Sequence, residues 1–274
     1  MTTTQKVLKG KILFLHGYTQ SASIFYAKSS ALRKKLTKLG YKVVYLQGPL
    51  KLTGVDLPQS LGDFNTVVKD DEDNNLRAWW VKKKHTNSDV DMSAAFDTIR
   101  NYVDKQELIE DPDMKDTTET EEERKLPIVG LIGFSQGAAM AGLVASTWKE
   151  TFGKPELKFC VLYSGFKLDT SEKSGNEQYA KYYADKLPGS LKLLTVYGEL
   201  DTVVEEERSL SLYNYYKSQS DLLKHPGGHF VPNSKVYVEQ VCNWIESLDA
   251  AKPEEKKEES LDDLLDMMDN LGKA

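Results

Sequence analysis

A serine at position 135 has the surroundings of an enzyme nucleophile. It lies in the sequence Gly-Phe-Ser-Gln-Gly, residues 133–137, which follows the apolar run 127–132 and precedes a stretch of small residues. A predicted strand, a G-x-S-x-G turn and a predicted helix in this order are typical of a nucleophile elbow. The two glycines leave room for the chain to fold back past a strained serine. The pattern predicts that Ser135 attacks a carbonyl carbon.

A serine hydroxyl is a weak nucleophile until a base takes its proton and a third group orients that base. In α/β-hydrolases the order along the chain is serine, acid and histidine, each on a loop after a strand. Asp201 follows the predicted strand 191–197, and His229 follows the predicted strand 221–224. The order Ser135, Asp201, His229 therefore predicts a catalytic triad.

Other residues compete for two of these roles. His225 lies in the same turn as His229 and is the alternative base, and Glu199 is a weaker alternative to Asp201. His85 lies in a lysine-rich loop, where we expect it to be solvated.

An oxyanion hole requires backbone N–H groups beside the nucleophile. In this fold one comes from the residue after the serine and another from the loop after an early strand. The residue after the serine is Gln136, and the first predicted strand, residues 11–15, is followed by His16, Gly17 and Tyr18. We therefore expect the N–H groups of Gln136 and Tyr18 to form the oxyanion hole. An ordinary turn at the end of a strand is the alternative interpretation of His16 and Gly17.

The elements that must position these residues alternate between strands and helices. Continuous apolar runs without polar alternation predict strands buried on both faces, and strand–helix–strand units predict parallel pairing. We therefore expect an α/β fold of the α/β-hydrolase type, a mostly parallel sheet with helices on both faces. The predicted strands are residues 11–15, 42–46, 127–132, 158–165, 191–197 and 221–224, with a short strand or ordered loop at 77–81.

Charge, targeting segments and cysteine content indicate which partners and which cellular location to expect. The chain has 274 residues and a net charge of −6, which gives no reason to expect a nucleic-acid partner. No secretory signal or membrane span is visible in the sequence. Cys160 and Cys242 fit neither a disulfide framework nor a zinc site, so we expect buried free thiols and a cytoplasmic location. No metal or organic cofactor is expected.

Two segments have compositions unlike the rest of the domain, which we expect to span residues 1–249. Nine acidic residues lie within 106–125, which predicts a solvated, mobile insertion. Residues 250–274 begin as a charged linker and end in a short amphipathic helix from Leu261 to Leu271, which is a candidate site for a protein partner. A disordered end is the alternative for this tail.

Several motifs of the chain resemble the fungal family of serine hydrolases, which includes the human ovarian-cancer-associated serine hydrolase and some polyketide-releasing thioesterases. The resemblance spans about residues 8–248, and it implies a compact fold without a large cap domain. It also implies Ser135, Asp201 and His229 as the triad, and an intracellular enzyme. The motifs that carry it are Leu15-His16-Gly17-Tyr18-x-Gln20, Arg77-Ala78-Trp79-Trp80, Gly133-Phe134-Ser135-Gln136-Gly137-Ala138-Ala139, Tyr197-Gly198-x-x-Asp201 and His225-Pro226-Gly227-Gly228-His229-x-Val231-Pro232.

These observations favour an intracellular serine hydrolase that cleaves small-molecule carboxylic esters or thioesters through an acyl-enzyme. Arg77, Trp79 and Trp80 are candidates for an acyl or leaving-group pocket, and the alternative is aromatic residues packed in the core with Arg77 paired to a carboxylate. A non-catalytic binding module for a small molecule or a protein on a hydrolase scaffold is the alternative function. The sequence leaves the acyl chain length and the oligomeric state open.

Overall fold

The structure of the protein, a computed structural model, describes residues 8–53, 75–82, 89–115 and 118–250. The strands are β1 (Gly10–Leu15), β2 (Tyr41–Leu46), β3 (Leu50–Lys51), β4 (Arg77–Ala78), β5 (Ile128–Phe134), β6 (Phe159–Tyr163), β7 (Lys192–Gly198) and β8 (Ser220–His225). Six of them form one sheet in the order β2-β1-β5-β6-β7-β8, and all neighbouring strands are parallel. Strands β3 and β4 form a separate antiparallel pair.

Helices pack on both faces of the sheet, as predicted. Successive side chains of β1 point to opposite faces, so Ile12 and Phe14 join one apolar core while Leu13 and Leu15 join the other. The helices are α1 (Ala22–Lys28), α2 (Ser30–Lys38), α3 (Ser93–Lys105), α4 (Glu121–Lys125), α5 (Gln136–Ala145), α6 (Trp148–Phe152), α7 (Glu206–Tyr215) and α8 (Lys235–Ala250). The core around Ile12 contains residues of α1, α2 and α8, and the core around Leu13 contains residues of α3, α5, α6 and α7. Short 3₁₀ helices cover Glu172–Ser174, Glu177–Tyr182 and Lys217–Gln219.

Helix α1 is absent from the elements that the sequence predicts, because seven residues are too few to display a helical apolar period. Its start is nevertheless capped, since the Ser21 side chain accepts a hydrogen bond from the backbone N–H of Ile24. The predicted helix after the elbow ends at Ala145, and a separate helix, α6, begins at Trp148. The six strands of the main sheet lie within two residues of their predicted bounds, whereas β3 and α4 have no predicted counterpart.

The acidic segment 106–125 differs from the solvated insertion that its composition predicts. The Glu119 carboxylate is buried with its Oε1 2.9 Å from Lys11 Nζ, and the Tyr102 hydroxyl donates to its Oε2. Asp111 is also buried, and its carboxylate accepts a hydrogen bond from a backbone N–H in the first turn of α1. Because Lys11 brings an ammonium group into an apolar strand, a carboxylate must be buried with it.

Both cysteines are buried free thiols, as predicted. Burial raises the pKa of the Cys160 thiol, and it raises that of Cys242 to about 12. Within the described ranges, no helix is both long and apolar enough to cross a membrane. His85 and the predicted tail helix from Leu261 to Leu271 lie outside the described residues.

Candidate active site

The elbow forms where β5 passes into α5, and its serine has an unusual backbone conformation. Ser135 has φ 52° and ψ −116°, a region that residues other than glycine rarely adopt. Two hydrogen bonds hold it there, from the Ser135 N–H to the Tyr163 carbonyl and from the Ala139 N–H to the Ser135 carbonyl. Strain of this kind persists where the surrounding structure enforces it, and here it projects the serine hydroxyl from the end of the strand.

The glycines on either side of Ser135 are required by close contacts. A Cβ atom on Gly133 would lie 2.5 Å from Ala138 Cα, and one on Gly137 would collide with the Leu15 carbonyl oxygen. The start of α5 therefore packs directly on the ends of β1 and β5. The spacing G-x-S-x-G reflects this approach of two backbones.

Ser135, His229 and Asp201 form a hydrogen-bonded series at the carboxyl edge of the sheet. The Ser135 Oγ lies 3.1 Å from His229 Nε2, and His229 Nδ1 lies 2.8 Å from Asp201 Oδ2. The three residues follow β5, β8 and β7, and the carboxyl ends of parallel strands meet at one edge. The structure thus brings together the three residues predicted as the triad.

The carboxylate of Asp201 is held in its ionised form. Burial by itself would raise its pKa, but hydrogen bonds from the Val204 N–H and from His229 outweigh burial and hold the pKa below its usual value. The Asp201 Oδ1 accepts from the N–H groups of Val203 and Val204, both at 2.9 Å. Oδ2 is left to accept the proton on His229 Nδ1, which makes Nε2 the acceptor that faces the serine.

The alternative base and the alternative acid have other partners. The ring of His225 is buried against Phe230, its Nδ1 accepts from the Gly227 N–H, and burial lowers its pKa. Glu199 lies near the surface, with its carboxylate 3.3 Å from Lys224 Nζ. Within the described part of the chain, His225 is not hydrogen-bonded to Ser135, and the carboxylate that contacts His229 is that of Asp201 rather than that of Glu199.

Gln136 is connected through its side chain to the loop after β4. Its Oε1 accepts from the Trp79 N–H at 2.8 Å, and its Nε2 donates to the Trp80 carbonyl at 2.7 Å. Gln136 is the first residue of α5, where a backbone N–H has no acceptor within the helix. The residue that carries the predicted oxyanion donor is therefore anchored through its side chain, while its role in binding an oxyanion stays a prediction.

His16 supports the loop that carries Tyr18. Its Nε2 accepts from the Gly48 N–H at 2.8 Å, so Nδ1 carries the proton and donates to the Gly17 carbonyl at 2.7 Å. Complete burial lowers its pKa to about 4, which keeps the ring neutral. The indole of Trp79 donates to the His16 carbonyl. Buried side chains therefore fix the backbone of the stretch after β1, and its role in the oxyanion hole stays a prediction.

The residues predicted to line a substrate pocket have structural contacts instead. Trp79 has no exposed surface, Trp80 is 5% exposed, and both are packed in the core, which was the alternative interpretation. The guanidinium of Arg77 donates to the Asn75 side chain and the Pro49 carbonyl. A cavity of about 250 Å³ lies elsewhere, directly beside the imidazole of His229. It is lined by Gln20, Phe25, Lys28, Phe134, His229, Phe230, Val231 and Asn233.

Comparison with known proteins identifies the family. The chain matches the family described as Serine hydrolase (FSH1) over residues 4–241. It belongs to this family of serine hydrolases. Family of serine hydrolases 3 of Saccharomyces cerevisiae is 36% identical over 292 aligned residues, which cover 97% of this chain and 98% of the yeast protein. Esterase OVCA2 of Xenopus tropicalis is 29% identical over 86% of this chain and 93% of the frog protein.

The fold is shared with solved structures of other hydrolases. The crystal structure of Zea mays acyl-protein thioesterase 2 superposes with a TM-score of 0.52 at 18% identity, over 88% of this chain and 94% of that chain. At this identity the likeness concerns the fold alone. The predicted α/β-hydrolase fold and the predicted resemblance to serine hydrolases are both confirmed.

Apart from His229, the residues that line the cavity were not predicted from the sequence to bind substrate. Phe134 and Phe230 are direct neighbours of Ser135 and His229 in the chain, so their adjacency is a signal that could have nominated them. Lys28 lies on α1, a helix that the sequence does not predict. Among the described residues, no group of histidine, cysteine, aspartate or glutamate side chains is placed to hold a metal ion.

Proposed function

We propose that this serine hydrolase cleaves carboxylic esters or thioesters through an acyl-enzyme on Ser135. The observation that carries the proposal is the hydrogen-bonded series from Ser135 Oγ through His229 to Asp201. An ionised carboxylate, a neutral imidazole and a serine hydroxyl in this order are what general-base activation of a serine requires. The esterase name of the frog relative agrees with an acyl substrate.

The reaction proceeds in two acyl-transfer steps. His229 Nε2 removes the Ser135 proton as Oγ attacks the acyl carbon, while Asp201 stabilises the imidazolium that forms. The N–H groups of Tyr18 and Gln136 bind the oxyanion. His229 then protonates the departing alcohol or thiol. A water molecule, deprotonated by His229, attacks the acyl-enzyme, and the collapse of this second intermediate releases the carboxylic acid and restores the Ser135 hydroxyl.

Replacement of the nucleophile tests the proposal. We expect Ser135→Ala to lower the turnover of p-nitrophenyl acetate by about 10⁴-fold or more and to abolish labelling by a fluorophosphonate probe. Ser218 is an exposed serine in the described structure, and the variant Ser218→Ala is the matched control that should retain both activities. Undiminished turnover in a folded Ser135→Ala protein would overturn the assignment.

The same proposal extends to the organisation of the chain. We expect residues 1–249 to contain the whole hydrolase and residues 250–274 to act as a linker and a helix, Leu261 to Leu271, for a protein partner. A cytoplasmic location agrees with the buried free thiols Cys160 and Cys242. Truncation after Asp249 should leave the turnover of a small ester unchanged, and a large loss would mean that the tail contributes to the site.

A further inference from the structure

The cavity beside His229 has an apolar inner wall. The rings of Phe25 and Phe134 are buried, and their centroids lie 6.3 Å apart in a stacked arrangement. Phe230 forms the outer wall, and 49% of its surface is exposed, although an aromatic side chain is normally buried more completely. Because the imidazole of His229 borders the same space, a molecule bound there lies next to the reacting atoms.

The lining of the cavity also includes a cationic side chain, that of Lys28. Lys28 is exposed at the end of α1, and the cavity it borders has no acidic side chain among its described lining residues. In the described part of the structure, no carboxylate forms an ion pair with Lys28. The Asn233 side chain donates to the Lys28 carbonyl, which fixes the end of α1 against the segment that follows His229. The ammonium group is therefore attached to a backbone that is anchored beside the catalytic loop.

We propose that this cavity binds a short arm of the substrate that has an apolar body and an anionic end. The apolar body lies between Phe134 and Phe230, and the anion meets the ammonium of Lys28. This inference rests on the proposed function of Ser135. A volume of about 250 Å³ falls below the range typical of sites for drug-sized ligands, which is why the arm must be short.

Either the acyl side or the alcohol side of the ester can carry such an arm, so the experiment compares one pair of substrates for each side. On the acyl side, the p-nitrophenyl monoester of adipic acid is compared with p-nitrophenyl hexanoate. On the alcohol side, the acetate ester of ω-hydroxyhexanoic acid is compared with hexyl acetate. In at least one pair we expect the anionic substrate to have a KM about threefold to tenfold lower than its neutral partner, the range of a solvent-accessible charge-assisted contact.

Lys28→Met should bring the KM ratio of that pair close to one. Lys34→Met, an exposed lysine on α2 outside the cavity, should retain the ratio of the unmodified protein. The preference should also shrink as the ionic strength rises, because salt screens a solvent-accessible ion pair. Phe230→Ala should raise the KM of both members of the pair, since each loses the same apolar wall.

Equal KM values within both pairs would overturn the proposal, and so would a preference that persists in Lys28→Met. These results are separate from the test of the nucleophile. Hydrolysis of p-nitrophenyl hexanoate that is lost in Ser135→Ala would uphold the proposed function even if Lys28 had no effect on any substrate.

Discussion

The side-chain oxygen of Gln136 lies 2.8 Å from the backbone nitrogen of Trp79, and it binds the residue after the nucleophile to a loop from another part of the chain. The same side chain donates to the Trp80 carbonyl, so both polar ends of the amide are used. The backbone N–H of Gln136 is the proposed oxyanion donor. Under this proposal, one residue both supplies an oxyanion donor and holds that donor in place through its own side chain.

Gln136→Met should lower both stability and turnover. It leaves the Trp79 N–H and the Trp80 carbonyl buried without partners, and we expect the free energy of unfolding to fall by about 1–3 kcal/mol. Displacement of the donor should lower kcat by roughly tenfold to a hundredfold, short of the loss expected when an oxyanion donor is removed. Urea denaturation and steady-state kinetics with p-nitrophenyl acetate measure the two effects.

A second glutamine provides the control for that variant. The Gln219 amide makes a matching pair of hydrogen bonds, both 3.1 Å, to the backbone of Leu187, remote from the triad. Gln219→Met should lower the free energy of unfolding and leave kcat unchanged. A wild-type kcat in Gln136→Met would show that the oxyanion donor does not depend on this anchor.

Two glycines of α5 should respond differently to alanine. A Cβ on Gly137 meets the backbone carbonyl of Leu15, which cannot move without displacing the loop that carries Tyr18, so Gly137→Ala should lower stability by about 1–3 kcal/mol and lower kcat. A Cβ on Gly142 meets the flexible end of the Leu212 side chain. Gly142→Ala should therefore fold normally and retain kcat. Thermal unfolding and ester hydrolysis of both variants test the contrast, and equal losses in the two would contradict it.

Buried His16 should make the folded state sensitive to acid. Its pKa is about 4 in the folded protein against an ordinary value of 6.5, so between these pH values the unfolded chain binds a proton that the folded protein excludes. The contribution of neutral His16 to the free energy of unfolding is complete above pH 6.5 and is lost as the pH falls toward 4, with about 2 kcal/mol lost at pH 5. In His16→Gln, the loss of stability between pH 7 and pH 5 should be smaller by that amount. Urea titrations at the two pH values measure it, and identical losses in variant and wild type would contradict the assignment.

The buried pair of Lys11 and Glu119 should matter for stability more than a surface pair. Lys11→Met leaves a buried carboxylate without its partner, and the free energy of unfolding should fall by about 3–5 kcal/mol. Adding Glu119→Gln to that variant should restore much of the loss, because the neutral amide is less costly to bury. Lys158→Met removes the half-exposed pair with Asp249 and should change stability by about 1 kcal/mol or less. Similar losses for Lys11→Met and Lys158→Met, measured by urea denaturation, would contradict this account.

Sequence reasoning predicted the sheet and the loops of the site because both depend on local patterns. Strands buried on two faces appear as continuous apolar runs, and the serine, acid and histidine follow such runs in a fixed order; their catalytic roles stay predictions. The burial of Glu119 was not predictable from composition, since its partner Lys11 lies far away in the chain. Lys28 was missed for the same reason, because its position beside His229 results from the packing of α1 against the last loop.

The placement of the site at the carboxyl edge of the sheet has a consequence for folding kinetics. Tyr18 follows β1 and His229 follows β8, strands at nearly opposite ends of both the chain and the sheet order. The sheet that joins them includes the parallel pair of β1 with β5, in which Leu13 lies opposite Leu131, and pairing of segments so far apart in the chain closes a long loop and is slow. Helical content should therefore return early after dilution from denaturant, and esterase turnover should return last. A fragment that ends before β8 is expected to acquire helix without reacting with a fluorophosphonate, so the nucleophile becomes reactive only when the final strand has docked.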